Sequence, residues 1–389
     1  MKSVVILGRQ SKLSLAELES VFGAALVEPL GSTAALIDLP AEEVVQKHLG
    51  GTLKIASLLA TPSTTDWGQL LNFCRTALPE FLEDLPTGKL HLGLSVYGVK
   101  TNVASLQRGA LELKKVARNA GRSARVVPNQ NLELNSAQVL HNKLTGPLGL
   151  ELLFVTRGAQ TYLARTVHIQ DIDEYAARDF GRPKRSGFVG MLPPKLAQIM
   201  LNLVAAQADE VILDPFCGTG VILQEAALMG CKVRGTDIEP NMIDYSRTNM
   251  EWLQKKYNLT DIGLGLEQGD AQTMSWQQPI DHVVCETYLG QPLTTLPSPE
   301  KLDKIRTGCN ELMTAFLKNL APQLESGTRC CIAIPAWRQK NDFLHLPVVD
   351  QLEKLGYNRG SFEHASDQDL IYHRNDQIVA RELLVLTRK

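Results

Sequence analysis

Glu210-Val211-Ile212-Leu213-Asp214-Pro215-Phe216-Cys217-Gly218-Thr219-Gly220-Val221 is the stretch on which the fold turns. Its apolar run 211–213 has the length of a buried strand, and a helical pattern resumes at Val221, so the glycines fall in a strand-to-helix turn. Glycine there lets the backbone come close to a ligand, and the free N–H groups of a helix start offer positive potential to a carboxylate or phosphate. Outward from this turn, helices and apolar strands alternate from Lys195 onward. The expected order is helix 195–205, strand 211–214, helix 221–229, strand 232–237, helix 240–255, strands 263–268 and 282–286, helix 302–320, strand 329–334, helix 347–355, and closing strands 369–372 and 380–386. That alternation predicts an α/β fold with a mostly parallel sheet and an antiparallel C-terminal hairpin.

The next two strands also end in acids. Gly235-Thr236-Asp237 places Asp237 where a carboxylate accepts from both ribose hydroxyls of a nucleoside. Gln268-Gly269-Asp270-Ala271 places Asp270 beside it, in reach of an adenine amino group. A dinucleotide fits poorly, because the turn lacks the third glycine of G-x-G-x-x-G and carries Asp214, which would repel a pyrophosphate. An amino-acid-bearing nucleoside fits better, since Asp214 can face its ammonium group.

Upstream, residues 1–60 read as strand, helix, strand, strand, helix, strand, with the second helix at 41–49, an order that suits a small ferredoxin-like sandwich. Thr61-Pro62-Ser63-Thr64-Thr65 marks an expected boundary, residues 61–169 a second α/β module, and residues 170–194 a polar linker that docks onto the domain 195–389. In the second module, helix 102–120 sets Val103, Leu106, Ala110, Leu113 and Ala117 on one face. Arg108, Lys114, Lys115 and Arg118 lie off that face, preceded by Lys100 and followed by Arg122 and Arg125, with Glu112 the one acid among them. Such a strip can engage phosphates through salt-sensitive contacts, and a plain solvated helix face is its alternative.

Bulk composition limits the choices. The chain has 389 residues, 44% apolar and 21% charged, enough for several domains of ordinary globular make-up. No apolar run reaches the ~18 residues of a membrane span, and MKSVVILGRQ lacks a secretory pattern, so the expectation is a cytoplasmic protein with no membrane partner. A net charge of −2 gives no global attraction for nucleic acid. Seven cysteines without C-x-x-C or Cys/His zinc spacing read as reduced core residues, with no metal site. The oligomeric state stays open.

The runs DPFCGTG (214–220) and GTDIEPNM (235–242) resemble the cofactor loops of the THUMP-domain-containing tRNA guanine-N2 methyltransferases. The resemblance implies a Rossmann-like class I methyltransferase sheet preceded by ferredoxin-like and THUMP modules, S-adenosyl-L-methionine as cofactor and tRNA as partner. It assigns cofactor contacts to Asp214, Phe216, Cys217, Gly218, Gly220, Asp237, Ile238, Asp270 and Ala271. Arg182-Pro183 and the segment from Gly190 through Met191, Pro193 and Asn202-Leu203 are similar to the family segment that lines the methionine end, which adds Met191 and Pro193. The segment 92–97, the basic helix and 150–166 look like a THUMP domain, which in the family grips the tRNA acceptor end. Lys143, Arg165, Arg182, Lys184 and Arg185 are further candidates for that basic track.

The match departs at the transfer site. The family's acid-proline-proline-aromatic signature is replaced by Glu286-Thr287-Tyr288-Leu289-Gly290. Glu286 takes the place of the aspartate as acceptor for the target amine and proton sink, Leu289 stands where the family has its aromatic, and Tyr288 offers a stacking ring one residue early. Losing both prolines loosens a backbone that the family keeps stiff. Two other outcomes stay open: an RNA-binding protein with a decayed transfer site, and a methyltransferase acting on an adenine N6 amine in RNA or DNA. Trp337-Arg338 is a further candidate for substrate contact or for domain surface, while His168, His282 and His373 are expected to be structural or solvent-facing.

Overall fold

The computed structural model describes residues 2–185, 191–291, 293, 295, 297–339, 342–374 and 377–389. They divide into two units, the first holding 2–15, 22–47 and 51–174 and the second holding 16–21, 48–50 and 175–389.

The first unit starts with β1 (Ser3–Leu7), α1 (Ser11–Phe22, whose residues 16–21 group with the second unit), β2 (Val27–Leu30), β3 (Ala34–Ile37) and β4 (Thr52–Ala60). β1 lies antiparallel between β3 and β4 in the order β2-β3-β1-β4, the ferredoxin-like arrangement the sequence implies. The helix expected at 41–49 is instead two 3-10 turns, Ala41–Glu43 and Gln46–His48. The β-branched pair Val44-Val45 opposes helix propagation, and Val44 is extended at φ −88° and ψ 105°.

The chain continues through α2 (Trp67–Phe81), β5 (Leu90–Tyr97), α3 (Val103–Asn119), β6 (Ala124–Val126), α4 (Ser136–His141), β7 (Gly149–Arg157) and β8 (Gln160–Ile169). The expected division at residue 61 falls inside one eight-stranded sheet, because β4 pairs with β8 from Lys54↔Ile169 to Ala60↔Leu163. An open β4 edge would leave a row of backbone groups unpaired, and β8 satisfies them. A buried polar cluster marks the seam: Lys54 of β4 pairs with Glu151 of β7, which also accepts from Ser95 of β5 and Thr166 of β8, each at 2.6 Å. Asn102 caps α3 by accepting from Ser105 N at 2.9 Å, and Leu106, Ala110, Leu113 and Ala117 are buried as their spacing requires.

The second unit contains α5 (Ile172–Phe180, whose residues 172–174 group with the first unit), α6 (Pro194–Leu203), β9 (Val211–Asp214), α7 (Val221–Leu228), β10 (Lys232–Asp237), α8 (Pro240–Tyr257), β11 (Gly265–Gln268), β12 (His282–Glu286), α9 (Pro299–Leu320), β13 (Arg329–Arg338), β14 (Phe343–Leu344), β15 (Tyr357–Arg359), β16 (Ile371–Tyr372) and β17 (Val379–Arg388). The stretch expected as linker thus carries a helix. Asp171 starts α5 by accepting from Asp173 N at 3.1 Å and Glu174 N at 3.0 Å, and Arg178 on its buried side pairs with Glu225 of α7 at 2.7 Å.

The sheet runs β11-β10-β9-β12-β13-β17-β15, parallel from β11 to β13, with β17 antiparallel between β13 and β15 and paired with β16 as the closing hairpin. The helix expected at 347–355 is a 3-10 turn, Pro347–Gln351, and the short strand β15 follows it. Strand order reverses at β9, which has β10 on one side and β12 on the other, and open α/β sheets bind ligands beyond the carboxyl ends of strands at such a reversal. Trp337, Tyr357 and Phe316 anchor the core, so Trp337 is fully buried and belongs neither to a substrate contact nor to a surface. All seven cysteines are free and buried, and burial pushes their thiols up, Cys74 to about 12 and Cys309 to about 11. Among the described residues no helix is long and apolar enough to cross a membrane, and no group of three or more His, Cys, Asp or Glu is arranged to hold a metal ion.

Candidate active site

The glycine-rich turn and the acidic strand tips meet at the reversal. Register pairs Gly235 with Asp214, and Asp237 with Gln268, which sets the ends of β9, β10 and β11 side by side. Gly218 N donates to Asp237 Oδ2 at 2.9 Å, and Glu239 N donates to Oδ1 at 3.0 Å. Gly220 opens α7 in the left-handed region at φ +80°, and a Cβ there would lie 2.9 Å from Ser246 Oγ. Both demands exclude other residues at little cost only for glycine. Ser246 Oγ in turn donates to Gly218 O at 2.8 Å, so α8 braces the turn.

Asp214 is 2% exposed and accepts from Phe216 N at 3.1 Å. Burial holds its carboxyl well above the usual range, against the Phe216 hydrogen bond, and the nearby Asp237 and Glu286 carboxyls push the same way. Asp237 is raised as well, chiefly by burial, while the N–H groups of Glu239 and Gly218 pull it down. Asp214 ends β9, Asp237 ends β10 on one side of it and Glu286 ends β12 on the other, so the three carboxylates close neighbouring strands. Asp270 lies two residues past Gln268 and accepts from Gln272 N at 2.9 Å and Gln272 Nε2 at 3.2 Å. Ala271 is buried, and its carbonyl accepts from Asn319 at 3.1 Å, whereas Ile238 is 58% exposed.

The side chains of Phe216 and Cys217 turn to the protein interior. Phe216 packs edge-on against Phe316 at 5.0 Å between centroids, and the Cys217 thiol is buried 3.7 Å from Ser246 Oγ. Cys217 therefore leaves only its backbone for a ligand, whereas the half-buried Phe216 keeps part of its ring accessible.

Gly190 lies outside the described residues, as do 186–189. On the near side of that gap, Lys184 N donates to Asn249 Oδ1 at 2.9 Å, and Asn249 Nδ2 donates to Lys184 O and to Thr219 O, each at 2.9 Å. Asn249 therefore ties this segment to the glycine-rich turn. Arg182 is 3% exposed, which removes it from any surface track. Its Nη2 sits 3.0 Å from Met191 Sδ and 4.0 Å from Asp179 Oδ1, and its Nε and Nη1 find no hydrogen-bond acceptor among the described residues. A buried guanidinium with unmatched donors is costly unless an anion completes it. Met191 and Pro193 are half-buried, with Pro193 at the N-cap of α6.

At the transfer position, Glu286 ends β12 opposite Ala333 of β13, and Tyr288 is 52% exposed. The sequence reading missed the partner of Glu286: Arg381 of β17 donates Nε to Glu286 Oε1. Nothing in the local pattern marked it, because Arg381 lies 95 residues away and only the antiparallel placement of β17 brings it in. Burial raises the Glu286 carboxyl, and the Arg381 charge and hydrogen bond oppose that. Thr287, 4% exposed, fixes the backbone just past the strand end, its N and Oγ1 both donating to Ala333 O at 3.0 and 3.2 Å.

In the first unit, Lys100, Arg108, Lys115, Arg118 and Arg125 are exposed and Lys114 is half-buried. Arg122 is employed elsewhere, donating to the carbonyls of Leu82, Leu85 and Pro86 at 3.3, 3.2 and 2.6 Å. It closes the loop after α2, a task that proximity in sequence to a basic helix does not reveal. His282 likewise serves structure, meeting Glu210 at 3.2 Å.

The family model described as UPF0020: RMKL-like, methyltransferase domain matches residues 182–363. The tRNA (guanine(10)-N2)-dimethyltransferase of Methanothermobacter thermautotrophicus is 35% identical over 156 residues, 40% of this chain and 42% of that protein. That of Methanocaldococcus jannaschii is 36% identical over 115 residues, 28% of this chain and 32% of its own. The chain thus spans less than half the length of these curated relatives. TrmN from Thermus thermophilus, a solved structure, has a TM-score of 0.57 at 16% identity, with 100% of each chain covered, a likeness of fold. Residues 182–363, which hold the glycine-rich turn and the acidic tips of β9, β10 and β12, are thus the part of the chain that is similar to the UPF0020, RMKL-like methyltransferase domain, a little under half of its length.

Proposed function

We propose that this chain is a cytoplasmic, S-adenosyl-L-methionine-dependent methyltransferase acting on the exocyclic N2 amine of a guanine in tRNA. The observation that carries this is the meeting of Asp214, Asp237, Glu286 and the Gly218–Gly220 turn beyond the carboxyl ends of β9, β10 and β12. The residues fit the cofactor. Asp237 keeps lone pairs for the ribose hydroxyls, Asp214 is a buried acid suited to the ammonium, and the unmatched donors of Arg182 beside Met191 suit the carboxylate. Asp270 is the acceptor for the adenine amine.

When bound, S-adenosylmethionine supplies a methyl group on a sulfonium, open to in-line displacement. The guanine amine is a poor nucleophile, its lone pair being delocalised into the ring, so orientation does most of the catalysis. Glu286 accepts a hydrogen bond from that amine, favours the positive charge that grows on nitrogen, and takes the proton afterwards. Tyr288, exposed beside it, stacks on a base turned out of its helix. In the first unit, Lys100, Arg108, Lys114, Lys115, Arg118 and Arg125 contact tRNA phosphates.

Incubation with labelled S-adenosylmethionine and unmodified tRNA, followed by nucleoside mass analysis, tests this. N2-methylguanosine is expected. N6-methyladenosine would move the acceptor to adenine, and tRNA and cofactor binding without incorporation would leave an RNA-binding protein with an inactive transfer site. Glu286→Ala is expected to lower the rate at least ~100-fold while leaving the cofactor Kd within about twofold. An unchanged rate removes Glu286 from the mechanism.

A further inference from the structure

Glu286 is reached across the sheet by a cation that the transfer signature does not contain. It ends β12 opposite Ala333, and Arg381 stands on β17 opposite Pro335, so a carboxylate and a guanidinium approach from either side of β13 and meet over its end. Their side chains are 14% and 6% exposed. We propose that Arg381 is a positioning residue of the transfer site: it holds the Glu286 carboxylate in one rotamer and in its anionic form, leaving the remaining lone pairs to accept from the substrate amine. This rests on the reading of Glu286 as the amine acceptor.

Two physical needs support the assignment. Glutamate has one more rotatable bond than the aspartate it replaces, so placing its oxygens takes a second anchor. Thr287 anchors the backbone through Ala333 O, and a guanidinium bond, which is directional and charge-assisted, anchors the head. The second need is charge. Among the described residues, the titratable groups coupled to Glu286 are Asp214 from β9, Cys285 on its own strand and Arg381 from β17, of which Arg381 is the cation. Burial beside another carboxyl favours a protonated Glu286, which accepts more weakly and cannot take up a proton. Glu382, next on β17, turns instead to His345 at 2.7 Å and Arg359 at 3.3 Å.

The test compares full-length wild type, Arg381→Met, Arg381→Lys and Glu286→Gln. Carbon-13 glutamate NMR, with the Glu286 signal assigned from Glu286→Gln, follows titration of the carboxyl without substrate, and labelled transfer gives kcat and KM against pH. In Arg381→Met the Glu286 midpoint and the acid limb of kcat are expected to move up together by about 1–3 pH units. The rate at neutral pH should fall at least ~10-fold, with cofactor Kd within about twofold. Arg381→Lys, which keeps the charge if the methionine variant misfolds, should restore the limb to within about half a unit of wild type. An active wild type whose Arg381→Met variant keeps its rate or its acid limb overturns the role of Arg381, as does a Glu286 midpoint shifted equally by the lysine variant. A wild type that methylates no tRNA refutes instead the reading of the site.

Discussion

Asp214 is subject to two opposed demands. It is nearly fully buried, and burial drives its carboxyl up, toward the neutral form. A folded-state pKa above the unfolded one means that folded protein retains a proton the unfolded chain releases, so this contribution to stability is full at low pH and is lost as pH rises through the raised value. Asp214→Asn, which still offers an amide oxygen to Phe216 N, is therefore expected to melt higher than wild type at pH 8 without ligand. The gain should vanish toward pH 4, as read by thermal denaturation across pH. Cofactor binding should change in the opposite sense, weakening by about tenfold or more for loss of a charge-assisted hydrogen bond; isothermal titration that finds equal affinity would detach Asp214 from the ammonium. The residue types at this site were legible because DPFCGTG and GTDIEPNM carry both the glycines and the acids. Arg381 was not, since an arginine in an apolar C-terminal strand has no local signature until β17 is inserted beside β13.

Helix α3 separates residues that a charge count lumps together. Arg118 is exposed on its last turn, whereas Arg122, just past it, donates to three carbonyls after α2. Arg118→Ala should reduce the slope of log K against log salt for tRNA by about 1 while leaving the melting temperature unchanged. Arg122→Ala should instead destabilise the protein by about 1–3 kcal/mol, because the part-buried carbonyls of Leu82 and Leu85 lose their donor, along with the exposed carbonyl of Pro86. Filter binding at several salt concentrations and thermal melts check the pair, and a salt-slope change without destabilisation in Arg122→Ala would return that residue to the RNA surface. The helices themselves followed their sequence signals, with Asn102 capping α3 and prolines at the starts of α6, α8 and α9. The expected helices at 41–49 and 347–355 failed because the valine pairs Val44-Val45 and Val348-Val349 fall inside stretches too short to outweigh them.

At the scale of the molecule, the first unit is one sheet across the boundary expected at residue 61. A chain beginning at residue 61 would lose β4, open the β8 edge and strand Glu151 without Lys54, a loss of about 3–5 kcal/mol for a buried pair broken on one side. It is expected to aggregate, and a soluble, cooperatively melting fragment on analytical ultracentrifugation would contradict the continuity of the sheet. The amino-acid sequence by itself determined what is local: the glycines at 218 and 220, the acids closing β9, β10 and β12, and the alternation that makes the second sheet mostly parallel. These follow from backbone sterics and short-range periodicity, which each residue carries with it. Tertiary structure alone decided which distant strands became neighbours, β4 with β8 and β13 with β17, and so which buried charges were paired, Lys54 with Glu151 and Glu286 with Arg381. The reason is that a buried ion is tolerable only where packing delivers its counter-ion, and that delivery depends on strand order, a property no short stretch of chain contains.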